Sequence, residues 1–172
     1  MYKLVVFDIE TTGLYPERGD RIIEIGAIPI INNDIIFDEK FESLIDPEIE
    51  ISEEITKINH ITNKMVSGSR KIQEVLPEFL DYIDGYPLIA HNADFDVGFI
   101  RYFINKLVLP KLRNRIIDTI ALSKEVFSNE KYHNLDALTK RLGIDFREDQ
   151  RHRAIDDVYL TALSFIKLRK ML

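Results

Sequence analysis

The sequence predicts an α/β domain built on a mixed sheet, in which an antiparallel three-strand meander leads into parallel strands flanked by helices. Three observations carry this reading. Two long β-branched runs open the chain, a turn signal and a third apolar run follow, and from there short apolar strands alternate with stretches of helical periodicity.

Taken in order, Lys3 to Ile9 and Ile22 to Ile31 read as the first two strands, rich in valine and isoleucine. Asn32-Asn33-Asp34 is a turn, and a third strand is expected within Ile35 to Ile45. Asp46-Pro47 breaks the pattern, and Ser52-Glu53-Glu54 marks the start of a short helix. From Ile72 to Ile83 the apolar residues Ile72, Val75, Leu76, Phe79, Leu80 and Ile83 fall on one helical face, with Pro77 expected to kink the helix or to delay its start. Leu88-Ile89-Ala90 is a short buried strand that leads into a helix over Asp94 to Leu107. Ile116-Ile117-Asp118 gives another brief strand, followed by helices over Thr119–Phe127 and Leu135–Leu142. A last amphipathic helix begins near Ala154 and runs to the C-terminus.

Composition narrows the function classes. The 172 residues suit one domain with a core of its own, and 45% apolar with 30% charged residues is the balance of an ordinary globular protein. With no cysteine, disulfides and thiolate metal sites are excluded, which fits a reducing cytoplasm. The N-terminal apolar run Leu4-Val5-Val6-Phe7 stops at Asp8, too short for a signal peptide or a membrane span, so a cytoplasmic protein without a membrane partner is expected. A net charge of −6 does not by itself suggest nucleic acid, whose binders usually present a basic face. Carboxylates that hold divalent cations reconcile the two, since the cations then supply positive charge where phosphate sits.

Three segments carry candidate chemistry. Asp8 and Glu10 lie two apart on the first strand and share one face, a costly pairing near a buried strand unless a hard cation neutralises it. Thr11-Thr12-Gly13 directly afterwards is turn-forming. The second segment, His91 to Asp96, follows a strand, where ligands of α/β sheets bind; either Asp94 or Asp96 suits a helix cap, and spacing alone does not choose between them. The third is His152-Arg153-Ala154-Ile155-Asp156-Asp157. On a helix His152 shares a face with Asp156, whereas Asp157 diverges from it by about 140°. Asp157 can join the histidine only if His152 lies at or before the helix start.

Together the segments resemble the three motifs of the DEDDh (DnaQ-like) 3′→5′ exonucleases, a family that includes the proofreading epsilon subunit of bacterial DNA polymerase III. Asp8 to Leu14 matches D-x-E-T-T-G-L, His91 to Asp96 matches H-N-A-x-F-D, and His152, Ala154 and Asp157 match H-x-A-x-x-D. Glu24 to Ala27, Asp118-Thr119 and Asn134 to Leu138 extend the similarity over nearly the whole chain. The resemblance selects Asp96 over Asp94 and Asp157 over Asp156. It implies a ribonuclease-H-like fold, a single exonuclease domain over residues 1–172, and two divalent cations, Mg²⁺ or Mn²⁺, held by Asp8, Glu10, Asp96 and Asp157. Asp8 would bridge the two ions, Glu10 and Asp157 would complete one site, and Asp96 would support the other. His152 would be the general base that deprotonates the attacking water, and nucleoside 5′-monophosphates would be released.

The resemblance also implies that Thr11, Thr12, Gly13, Leu14 and Asn92 hold the terminal nucleotide, with Glu54 a further contact. Where the family often has H-G-I-T this chain has Asn59-His60-Ile61-Thr62, so Asn59 takes the place of a substrate-facing histidine. The expected partners are the 3′ end of a single nucleic-acid strand and a DNA polymerase subunit. Epsilon subunits often carry a C-terminal tail that ties them to the polymerase; the chain ends at Leu172 directly after its last helix, so a free-standing nuclease or a different attachment surface is expected. Trimming of RNA or oligoribonucleotides is the alternative within the same chemistry, and a non-catalytic scaffold the alternative outside it.

Overall fold

The computed structural model describes residues 2–146 and 151–172. Its sheet is built around β1 (Lys3–Thr11), with β2 (Ile22–Ile31) antiparallel on one side. On the other side β5 (Leu88–Ala90) and β6 (Ile116–Asp118) follow in parallel. β3 (Asp34–Ile35) and β4 (Phe41–Leu44) both pair antiparallel with β2, which completes a six-stranded mixed sheet. The third strand expected between Ile35 and Ile45 is thus two pieces. A 3₁₀ turn over Phe37–Glu39 interrupts it, so that β3 meets the far end of β2 at Ile30 and Ile31 while β4 meets Glu24 to Ala27. β1 runs two residues past the expected Ile9, because its ladder with β2 continues through Glu10 and Thr11.

The helices are α1 (Glu53–Asn59), α2 (Asn63–Val66), α3 (Ile72–Ile83), α4 (Ala93–Lys106), α5 (Thr119–Val126), α6 (Leu135–Arg141) and α7 (Ala154–Arg169). Side-chain caps explain several starts. Ser52 accepts from the Ile55 amide, Thr62 from Met65 and Asn134 from Ala137, each taking up an amide that the helix leaves unpaired. α3 does not start late: it begins at Ile72, and Pro77 lies inside it, leaving the carbonyl four residues back without its helical donor.

The period of two along β1 sorts its side chains between two cores. Val5, Phe7 and Ile9 face one side and pack with Val75, Leu76 and Phe79 of α3 and with Val97, Ile100 and Phe103 of α4. Leu4 and Val6 face the other side and pack with Ile28 and Ile30 of β2 and with Val158, Ala162 and Phe165 of α7. Full burial of each large apolar side chain is worth about 1.5–3 kcal/mol, so α7 is held chiefly by this stripe.

On the α7 side, the next residues of β1 after Leu4 and Val6 are Asp8 and Glu10. The strand is therefore apolar beneath the body of α7 and acidic beneath its first turn. Gly26 on β2 permits the close approach there: a Cβ at that position would lie 2.8 Å from the backbone at Ala154 and Ile155. Among the described residues, no helix is long and apolar enough to cross a membrane.

Candidate active site

β1, β5 and β6 run parallel, so their C-terminal ends share one edge of the sheet, the edge where open α/β folds place ligands. Asp8 and Glu10 from β1 and Asp157 from the first turn of α7 converge there. Each offers a carboxylate oxygen within 4.8 Å of the other two. Asp156, the neighbour that spacing left in competition, is not in this cluster; its side chain borders a surface hollow with Ile35, Phe37 and Tyr159.

His152 meets the geometric condition set by the sequence. α7 begins at Ala154, and His152 precedes it in the left-handed region with φ of 66°. Its backbone amide donates to Asp157 Oδ1 at 3.3 Å, so the histidine stands beside Asp157 from outside the helix, with its side chain exposed. Partial burial, and after it the positive charge of Arg151, hold the His152 pKa below its ordinary value, with His60 adding to the same trend. A neutral imidazole near pH 7 is what a proton acceptor requires.

Asp96 is buried in the first turn of α4, and its Oδ1 accepts the Ile9 amide at 3.0 Å. Asp94 is exposed. Asn92 is also exposed, in the left-handed region, and its backbone amide donates to Asp118. His91 is not part of this cluster: its Nδ1 pairs with Thr119 Oγ1 at 2.8 Å, and burial depresses its pKa to about 4.

The acidic residues are electrostatically uncomfortable. Burial raises the Asp8 pKa well above the usual carboxylate range, and repulsion from Asp96 and Glu10 adds to it. Glu10 is pushed up to about 8 by burial and then by Glu24 and Asp96. Asp96 is raised as well, chiefly by burial. A set of hard oxygen donors under this strain fits a divalent cation such as Mg²⁺ or Mn²⁺, which relieves both the burial and the repulsion.

The turn after β1 is tightly built. Asp20 accepts from the Thr12 hydroxyl and from the Tyr15 amide, and Thr11 Oγ1 donates to the Gly13 carbonyl at 2.6 Å. A Cβ on Gly13 would collide with the Asp20 carboxylate, so a side chain there would have to displace Asp20 from its bonds to Thr12 and Tyr15. Leu14 is left 64% exposed. Glu54 is exposed in the first turn of α1.

Asn59 sits differently from a surface contact. It is buried, its Oδ1 accepts the Ile61 amide at 3.0 Å, and its side chain is near enough to Glu10 to draw the Glu10 pKa down. His60, in the left-handed region at the end of α1, takes the exposed place on that loop.

Several supporting residues lie outside the motifs that sequence reasoning isolated. Glu24, fully buried on β2, accepts from Arg153 and from the Ala154 amide at 2.9 Å, which fastens the start of α7 to the sheet. Arg151 is buried and bridges two carboxylates: Nη1 binds Asp157 Oδ1, and Nε binds Asp136 Oδ1 at 2.6 Å. Only the similarity around Glu24 and Asp136 hinted at either; for Arg151 there was no signal.

Comparison with known proteins gives consistent results. Residues 5–165 match the model of the family RNase_T, described as Exonuclease. The chain is 42% identical over 165 residues to a DNA polymerase III subunit epsilon-like protein of Rhodobacter capsulatus, covering 95% of this chain and 23% of that protein. It is 42% identical over 170 residues to a PolC-type DNA polymerase III of Caldanaerobacter subterraneus subsp. tengcongensis, covering 99% of this chain and 12% of that one. The chain thus spans a quarter or less of the length of these curated relatives. Among solved structures, Exonuclease X in complex with 5′ overhanging duplex DNA superposes with a TM-score of 0.76 at 29% identity, over 97% of this chain and 91% of that one. A structure of exonuclease I superposes with a TM-score of 0.83 at 18% identity, over 99% and 41% of the two chains; at that identity the likeness concerns the fold, which is ribonuclease-H-like.

Proposed function

The chain belongs to the Exonuclease family, and from that membership we propose that it is a metal-dependent 3′→5′ exonuclease that removes nucleotides from the end of single-stranded DNA. The observation that carries the reading is the convergence of Asp8, Glu10 and Asp157, whose carboxylate oxygens lie within 4.8 Å of one another at the ligand-binding edge of the sheet.

In this reading Asp8, Glu10 and Asp157 would hold one divalent cation, and Asp8 with Asp96 would support a second. Such a pair, when bound, would supply charge stabilisation to the attacking and leaving oxygens of an in-line displacement at phosphorus. His152 takes the proton of the attacking water. The water oxygen forms the new bond to phosphorus, the bond to the 3′ oxygen of the preceding nucleotide breaks, and that oxygen takes up a proton from solvent while His152 returns its own to solvent. The products are a nucleoside 5′-monophosphate and a strand one residue shorter. The Thr11–Leu14 turn lies against the terminal nucleotide, with Leu14 as its exposed apolar contact. Asn92 and Glu54 serve as further contacts to that nucleotide. Asn59 acts on the site through its influence on Glu10.

DNA is favoured as substrate because the relatives at 42% identity are DNA polymerase III proteins and the Exonuclease X structure holds DNA. Proofreading in association with a polymerase is supported by the same relatives. The net charge of −6 suits a small footprint on one strand end rather than a long grip on duplex.

The test is degradation of 5′-labelled single-stranded DNA and RNA by the purified protein with Mg²⁺, with Mn²⁺ and with chelator. A metal-dependent ladder that shortens from the 3′ end, faster on DNA, is expected. A faster ladder on RNA would reassign the substrate, and intact strands with folded protein would remove the catalytic reading.

A further inference from the structure

Arg151 lies outside the three motifs, yet it touches the site more intimately than most of their residues. Its guanidinium is buried, and both of its pairings are made to carboxylates. Nη1 binds Asp157 Oδ1, the oxygen that also accepts the His152 amide at 3.3 Å. Nε binds Asp136 Oδ1 at 2.6 Å, and Asp136 stands in the first turn of α6. The guanidinium also lies 5.9 Å from the centre of the Phe146 ring. One side chain thus ties α6, the start of α7 and a carboxylate of the acidic cluster together.

We propose that Arg151 is a positioning residue for the cation site: it fixes the Asp157 carboxylate from behind and, through that carboxylate, the backbone that carries His152. This rests on the nuclease reading above. The geometry needs an arginine. Two donors of a rigid planar fork reach two separate carboxylates at once, which the single point charge of a lysine does not reproduce. A direct grip on a substrate phosphate is disfavoured, because the guanidinium is buried and both donors face protein carboxylates. Asp157 has two oxygens. With Oδ1 committed to Arg151 and the His152 amide, the carboxylate is held in one orientation. Groups that orient a ligating carboxylate in this way commonly govern metal affinity by about 10–100-fold.

The experiment is calorimetric titration of Mn²⁺ into the parent protein, Arg151→Gln and Asp136→Asn, with oligonucleotide kinetics at saturating Mn²⁺ alongside. Arg151→Gln is expected to weaken Mn²⁺ binding by about 10-fold or more and to lower kcat with KM for the oligonucleotide unchanged. Asp136→Asn, a change at a half-exposed side chain that leaves the cluster intact, is expected to shift both readouts the same way by a smaller factor. It decides the matter if Arg151→Gln does not fold. Mn²⁺ binding as tight as the parent's, or tighter, in the folded variants would overturn the proposal, the tighter case meaning that the guanidinium competes with the cation. A raised KM with unchanged kcat would overturn it too, by making Arg151 a substrate contact. A parent that binds Mn²⁺ but cleaves nothing would count against the nuclease reading alone, since the binding comparison does not depend on cleavage.

Discussion

The Asp96 carboxylate accepts the Ile9 amide at 3.0 Å, joining residues 87 positions apart in the chain. Val5 on the same edge of β1 donates to Pro87 beside β5, but β5 ends at Ala90 and the chain turns into α4. The Asp96 side chain therefore takes over a ladder that the neighbouring strand has abandoned, and it does so between the two cluster residues Asp8 and Glu10. Asp96 is expected to have two separable roles. Asp96→Asn keeps an acceptor for Ile9 and should melt close to the parent while its nuclease rate falls by roughly 100-fold or more, the scale of several kcal/mol at the transition state. Asp96→Ala leaves a buried amide unpaired and should lose about 1–3 kcal/mol of stability in addition. Thermal melts and labelled-strand assays separate the two.

Asp8→Asn should abolish hydrolysis and leave the circular dichroism spectrum unchanged. Because burial and repulsion already disfavour the Asp8 charge, the metal-free variant should melt no lower than the metal-free parent. A parent-like cleavage rate in this variant would remove Asp8 from the cation site.

Asp156 and Asp157 test the register of α7. Asp157→Asn disturbs the cluster, the Arg151 pairing and the contact with the His152 amide together, so a severe loss of activity is expected. Asp156→Asn, on the face beside Phe37 and Tyr159, should keep most of the activity. Equal losses would mean that the helix presents a different face to the substrate.

The raised carboxylates make metal-dependent stability a function of pH. Glu10 moves from an ordinary value of 4.5 to about 8 on folding, so within that window the folded chain binds more protons than the unfolded one. Stability of the metal-free protein should therefore fall as pH rises through the window. A bound cation removes the penalty, so the rise in Tm caused by Mn²⁺ should be larger near pH 8 than near about pH 5.5. Melting curves with Mn²⁺ and with chelator at both pH values check the sign.

Gly26→Ala should act at a distance from the chemistry. The added methyl meets the backbone at Ala154 and Ile155, and overpacking of this kind costs typically about 1–3 kcal/mol. Displacement of the start of α7 moves Asp157 and His152 relative to Asp8 and Glu10, so the variant should lose both stability and rate. A rate equal to the parent's would show that the first turn of α7 tolerates displacement.

Much of this architecture was legible in the sequence, and particular residues show why. β2 and β5 were bounded correctly because apolar β-branched runs end at turn residues, a local signal. The position of His152 ahead of α7 could be posed as a geometric condition, since a helical register brings Asp156 rather than Asp157 beside it. Asn59 was not legible in the same way. Its place in the motif suggests a surface contact, but the left-handed turn at His60 puts the exposed ring one residue later and leaves Asn59 buried against Glu10. Arg151 was invisible for a related reason. An arginine near a charged helix start reads as solvated, and only the assembled fold shows Asp136 on its other side. Long-range partners such as these have no periodicity to betray them.

The cluster draws Asp8 and Glu10 from the first strand and Asp157 from the last helix, and α7 reaches them by packing on β1 and β2. Two of the three cluster carboxylates thus sit on one strand near the start of the sequence, and the third joins them only when α7 packs on that strand. Under the proposed function, cleavage would therefore report the docking of α7 on the sheet.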